Sequence, residues 1–222
     1  MDCFASLAMT AQNNGEHNMP ARQNWFDGWR LFALLSLTLL GLSVWIAGMR
    51  GFEVDGVRMV IRFTARTSLV LFCLAFSAAA LARMWPNTST RWLRRNRRYL
   101  GVSFAASHAI HAVAIAAFAV MDPAGYAAAT SIASYIFGGI GYAFIIAMTA
   151  TSFDRTAAAL GARAWRRLHL IGGYYLLFQF TVSFGKRIPD MPLYALFLIP
   201  LVAVFALRMI AMAPRPQAAR AG

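Results

Sequence analysis

The sequence predicts an all-α integral membrane bundle of about six transmembrane helices, and three observations predict it. Apolar residues make up 59% of the 222 and charged residues only 13%, with a mean hydropathy of +0.55. A soluble domain carries roughly 45–50% apolar and 25% charged residues, so this excess needs a solvent other than water. The apolar residues gather into six unbroken runs rather than the alternating segments of a membrane β-barrel. Finally, the basic residues occupy the short gaps between those runs, where bilayer topology places them.

The first 24 residues, MDCFASLAMTAQNNGEHNMPARQN, hold no apolar run long enough for a signal peptide. Rich in Asn, Gln and Gly, they are read as a disordered tail, with Met19 an alternative start. Residues 25–212 form one membrane domain, and 213–222 are a C-terminal tail. A span needs roughly 17–25 predominantly apolar residues. The first runs from about Leu31 to Met49 and carries no charge. The second covers about Arg66 to Leu81 and is short unless Arg66 snorkels outward. The third is about Leu100 to Met121, closed by Asp122-Pro123, and the fourth about Ser131 to Thr151, containing Gly138, Gly139 and Gly141. The fifth is about Leu168 to Phe184, and the sixth about Leu193 to Ile210, where Pro200 predicts a kink.

Charge fixes an orientation. With the N-terminus in the cytoplasm, the inner segments hold fifteen basic residues: Arg22, Arg30, Arg83, Arg91, Arg94, Arg95, Arg97, Arg98, Arg155, Arg163, Arg166, Arg167, Arg208, Arg215 and Arg220. The outer segments hold six: Arg50, Arg58, Arg62, Arg66, Lys186 and Arg187. Both termini are therefore predicted inside. The same placement explains the formal net charge of +13 without nucleic acid as a partner. Cys3 and Cys73 lie in the tail and in an apolar run, badly placed to pair; Cys73 is read as a lipid- or helix-facing small residue.

A polar side chain at membrane depth is expensive and marks function. His108 and His111 lie three apart in the third span, on nearly one face, and His169 opens the fifth. Imidazole ligates iron well, and two imidazoles from facing helices make a low-spin electron-transfer haem site. Gly172 and Gly173 beside His169 would leave room for a flat macrocycle, or permit close helix packing. Arg166 and Arg167 would pair with haem propionates, or act as inner anchors. Depth strains the pairing: His111 lies about 18 Å along its helix from Tyr99, and His108 about 13 Å, but His169 only about 3 Å past Arg167.

Three segments in order carry a family resemblance: RFTARTSLVLFCLAFSAAALAR, then RRNRRYLG with His111 ten residues after Gly101, then WRRLH ending at His169. Together they resemble the ferric-reductase-like transmembrane domain. More narrowly, they are similar to the haem-bearing membrane subunits of bacterial periplasmic methionine-sulfoxide reductase systems. The resemblance implies a b-type haem protein of the bacterial inner membrane. Such a protein passes electrons from a quinol, or from a flavin protein supplied as partner, to a periplasmic reductase subunit. It assigns the iron ligands to His111 and His169; His108 matches no ligand of the family and is a substitute on depth grounds alone. It also matches Arg66-Thr67 to a basic-Thr pair, so Arg62 and Arg66 become candidates for a quinone or partner contact; interfacial anchoring explains them as well. One departure is plain: the family's second histidine, deeper in span five, is missing from LLFQFTVSFGKR.

Other classes are weaker. No G-x-G-x-x-G fingerprint or P-loop appears, and no hydrolase constellation. Two alternatives stand beside the redox reading. One is a small transporter, disfavoured because the halves show no inverted repeat. The other is a membrane scaffold that has lost its cofactor.

Overall fold

The computed structural model describes residues 25–213, which leaves both tails, with Cys3, His17, Met19, Arg22, Arg215 and Arg220, outside the described residues. Among the described residues the chain is all-helical, with no strand. In chain order the helices are α1 (Gly28–Gly48), α2 (Val54–Met84), α3 (Thr88–Arg95), α4 (Arg97–Met121), α5 (Pro123–Ala129), α6 (Ile132–Ala150), α7 (Asp154–Leu160), α8 (Ala162–Gly185) and α9 (Leu198–Met212), with a 3-10 segment Pro192–Phe197 leading into α9. Five segments are long and apolar enough to cross a membrane: α1, α2, α4, α6, and α9 with its 3-10 lead. The 24-residue α8 has the length but is diluted by His169, three glycines, two tyrosines and Gln179.

Local chemistry sets the boundaries. Asn87 caps α3 with its side chain accepting from the Thr90 amide at 2.9 Å, while Thr90 reciprocates toward the Asn87 amide at 3.0 Å. Asp122 caps α5 through the Gly125 amide, with Pro123 in its first position. Gly161, at φ +79°, breaks α7 from α8 in a conformation side chains avoid. Helix α2 begins well before the apolar run, because Asp55, Arg58 and Arg62 continue it as a polar first section. Pro200 falls in the first turn of α9, where its ring is tolerated, and a 3-10 segment ending at Phe197 leads into that turn.

The centre of the bundle is the seam between α2 and α4, flanked by α1 and α9 on α2 and by α6 and α8 beyond. Small hydroxyl residues let those two backbones approach. Ser68 donates to Ser107 at 2.8 Å, and Thr67 lies 3.2 Å from the same oxygen. Thr64, Ser68, Ser103 and Ser107 are all wholly buried. Cys73 is buried between helices, which settles its position in favour of the helix-facing choice. At one end, buried Asn96 accepts from the Gly28 amide at 2.9 Å and donates to Asp27 at 2.7 Å. That amide, with Arg95, holds the Asp27 carboxyl below its ordinary range. Arg208 of α9 donates to the Phe76 carbonyl at 3.0 Å and lies 4.0 Å from the Phe76 ring centroid, tying α9 to α2. The outward faces carry Leu37, Val113, Val120, Ile132, Ile146 and Val202, a surface apolar on a scale that water does not support.

Candidate functional site

Helices α4 and α8, which carry the three histidines among the described residues, meet through side chains across a gap. Phe104 and His108 of α4 approach Phe180 of α8, with ring centroids 6.2 and 5.8 Å apart, and Phe72 of α2 closes the group at 5.8 Å from Phe104 and 5.4 Å from Phe180. This aromatic wall divides the gap into two cavities. The first, of about 300 Å³, lies toward the N-terminal ends of α4 and α8 and is lined by His169, Trp165, Arg97, Arg98, Gly101 and Gly173, among others. The second, of about 420 Å³, lies beyond the wall and is lined by His108, His111, Tyr142, Gln179 and Ser183, with Gly138 and Gly141 of α6.

The structure therefore brings His108 and His111 together, with ring centroids 5.5 Å apart, and puts His169 elsewhere. From Gly101 in the first cavity to His111 in the second is ten residues of helix, about 15 Å. A metal–imidazole bond is only about 2 Å long. His111 and His169 thus line different cavities in this arrangement, on either side of the aromatic wall. The physical reason is the depth difference already visible in the sequence: α4 and α8 run in register, so His169 lies near the level of the start of α4.

Two of the three histidines are oriented by a threonine. The Thr64 hydroxyl has a single proton, and it lies 2.7 Å from the Val60 carbonyl, which can only accept. The Thr64 oxygen must then accept from His111 Nδ1, 2.9 Å away, so His111 carries its proton on Nδ1 and keeps a lone pair on Nε2. Thr151 acts the same way: it donates to the Ala147 carbonyl at 2.8 Å and accepts from His169 Nε2 at 3.2 Å. For His169 this occupies the outer ring nitrogen and leaves the lone pair on Nδ1, next to its own backbone. Trp165 stacks on the His169 ring at 4.3 Å and donates to the Thr151 carbonyl at 2.9 Å, fixing it further. His108 packs against Phe104 at 4.8 Å, and its buried Nδ1 has no hydrogen-bond partner among the described residues.

The remaining expected residues divide. Gly172 and Gly173 do not leave a vacant slot: a Cβ on Gly172 would meet Met148 and Phe144 at 2.7 and 3.0 Å, and one on Gly173 would meet Phe76 at 2.6 Å. Close packing explains them. Gly138 and Gly139 of α6, by contrast, face open space. Arg166 and Arg167 are exposed and do not line the His169 cavity, whose cations are Arg97 and Arg98. Arg98 pairs with Asp154 at the start of α7 and holds that carboxyl below its ordinary range. Arg62 and Arg66 line a small vestibule that ends at His111. Sequence reasoning missed Thr64, Thr151, Arg97 and Tyr142; the one signal available was polar residues recurring within apolar runs at helical spacing.

Among the described residues no three His, Cys, Asp or Glu side chains gather as a metal site of their own. A haem brings four nitrogens and asks the protein for one or two. No family model, curated protein or solved structure matches the chain.

Proposed function

We propose that this chain is a six-span redox protein of the bacterial inner membrane, with both termini cytoplasmic, that holds one b-type haem on His111 in the second cavity. Electrons pass from a quinol or a separate flavin protein to an acceptor on the far side, with a periplasmic reductase subunit as the partner that the family resemblance implies. The sixth span is α8, whose side chains Leu170 and Ile171 are exposed and apolar. The observation that carries the reading is the imidazole of His111. Its Nδ1 lies 2.9 Å from the buried Thr64 oxygen; the tautomer assigned from the Thr64–Val60 bond puts the proton there, the outer-shell arrangement that orients metal-binding histidines and would leave Nε2 as the ligand atom.

The surroundings suit a single-imidazole haem better than the expected pair. About 420 Å³ falls within the range of small-molecule sites, the lining is mostly apolar and aromatic, and the α6 glycines leave space beside it. Haem would supply one-electron chemistry; the protein's part is to present Nε2, exclude water and set the potential by burial. Across the cavity, α8 offers Gln179 and Ser183 instead of a second imidazole. His108, one turn before His111 on the same helix, lines the same cavity and would lie beside a haem held there.

The competing reading is a scaffold without cofactor. It is favoured by the filled space at Gly172 and Gly173 and by the engagement of His169 Nε2 with Thr151. One measurement separates them: the dithionite-reduced minus oxidised spectrum of the purified protein. The wild type is expected to show a haem b band that His111→Ala removes and His169→Ala leaves largely intact. A colourless wild type would leave the scaffold standing, and loss of the band in His169→Ala would restore the two-helix ligand pair.

A further inference from the structure

On the other side of His111 lies a third cavity, of about 190 Å³, between the N-terminal section of α2 and the exit of α8. Arg62 and Arg66 enter it from α2, Lys186 and Arg187 from the end of α8, and Tyr194 from the 3-10 segment. Four cations thus converge on a small space, and no carboxylate lines it among the described residues. Basic residues at a membrane surface ordinarily fan outward as anchors. Here all four side chains remain exposed, yet rings hold two of them over one cavity. Arg66 donates to the Tyr194 hydroxyl at 3.4 Å and sits 5.7 and 5.5 Å from the Tyr194 and Phe197 ring centroids, while Arg187 lies 5.6 Å from the same Tyr194 ring. Tyr194 is only 4% exposed, so a fixed ring orients two guanidinium groups at one cavity.

Like charges crowded at one site without a carboxylate repel one another, and an anion there relieves the repulsion. Two guanidinium groups offer the paired N–H geometry that oxyanions accept bidentately. We propose that this cavity binds a phosphate group, gripped by Arg66 and Arg187 and neutralised further by Arg62 and Lys186. Haem is not required for it. The same chemistry comes from the headgroup of an anionic lipid in the outer leaflet or from a soluble phosphate compound.

The test uses the full chain in nanodiscs. In phosphatidylcholine discs, inorganic phosphate is titrated by calorimetry; in discs containing phosphatidylglycerol, retained lipid is counted by native mass spectrometry. The wild type is expected to bind saturably in at least one arm, phosphate binding marking a soluble ligand and lipid retention alone marking a headgroup. The double variant R66Q/R187Q should weaken that binding by about tenfold or more, since both charge-assisted contacts go. K186Q, at an exposed side chain, should weaken it less and serves if the double variant fails to fold. R91Q, on exposed α3, should leave it unchanged. No saturable binding in either arm, equal binding by the double variant, or an equal loss in R91Q would overturn the site.

Discussion

Thr64 and Thr151 do the same work at two histidines. Thr64 sits within α2 and Thr151 just past the end of α6; each spends its only hydroxyl proton on the carbonyl four residues back and presents the oxygen to an imidazole N–H. The consequence is a choice of tautomer, made opposite ways: His111 is left with Nε2 free to ligate, His169 with Nδ1. Replacing Thr64 by Val keeps the shape and removes the acceptor. The buried Nδ1–H would then be stranded at a cost of about 1–3 kcal/mol, and nothing would hold the ring to one tautomer. Thr64→Val is expected to lower the thermal midpoint in detergent and to reduce haem content, while Thr64→Ser, which keeps the oxygen, stays near wild type. If Val and Ser behave alike on both readouts, the hydroxyl is not what orients His111. From the sequence, His108 and His111 were visible by their spacing, but Thr64 was one hydroxyl among several in an apolar run.

Glycines in membrane helices serve either packing or vacancy, and their surroundings decide which. Gly173 of α8 lies against Phe76, which is buried, stacked on Phe72 at 5.1 Å and covered by the Arg208 guanidinium at 4.0 Å. A methyl group there would need a ring to move that its neighbours hold. Gly173→Ala is expected to cost about 1–3 kcal/mol through overpacking between α8 and α2. At Gly139 of α6 nothing lies within reach of a Cβ, so Gly139→Ala should be neutral or stabilise by up to about 1 kcal/mol through helix propensity. Chemical unfolding monitored by helical circular dichroism separates the two; similar destabilisation of both would mean that α8–α2 contact does not set the packing. The sequence could name these glycines but not say which had neighbours, because that depends on the lateral order of helices, which hydropathy does not encode. Five of the span positions along the chain were legible for the opposite reason: bilayer thickness writes them into the length of each apolar run. The same limit explains the histidines. Spacing within α4 put His108 and His111 on one face, whereas whether His169 met them depended on the register between α4 and α8.

At the scale of the molecule, the distribution of charge makes a claim that the helices alone do not. Fifteen basic residues fall on one side and six on the other only if α8 crosses the bilayer. Were α8 to lie at the surface, five crossings would leave the C-terminus opposite the N-terminus. Arg208 and the C-terminal arginines would then sit outside, and Lys186 and Arg187 would change sides relative to Arg62 and Arg66. The vestibule argues against that, because Arg66 of α2 and Arg187 beyond α8 share the Tyr194 ring and so occupy the same end of the bundle. Since α2 and α8 run in opposite directions, the start of one and the end of the other meet there, as a sixth crossing requires. Reporter fusions read this directly. Green fluorescent protein fused after Gly222 is expected to fluoresce, and alkaline phosphatase to be active when fused at Gly125 and inactive at Gly161. A dark C-terminal fluorescent fusion together with an active C-terminal phosphatase would reduce the bundle to five spans and reverse the assignment of its last basic segment.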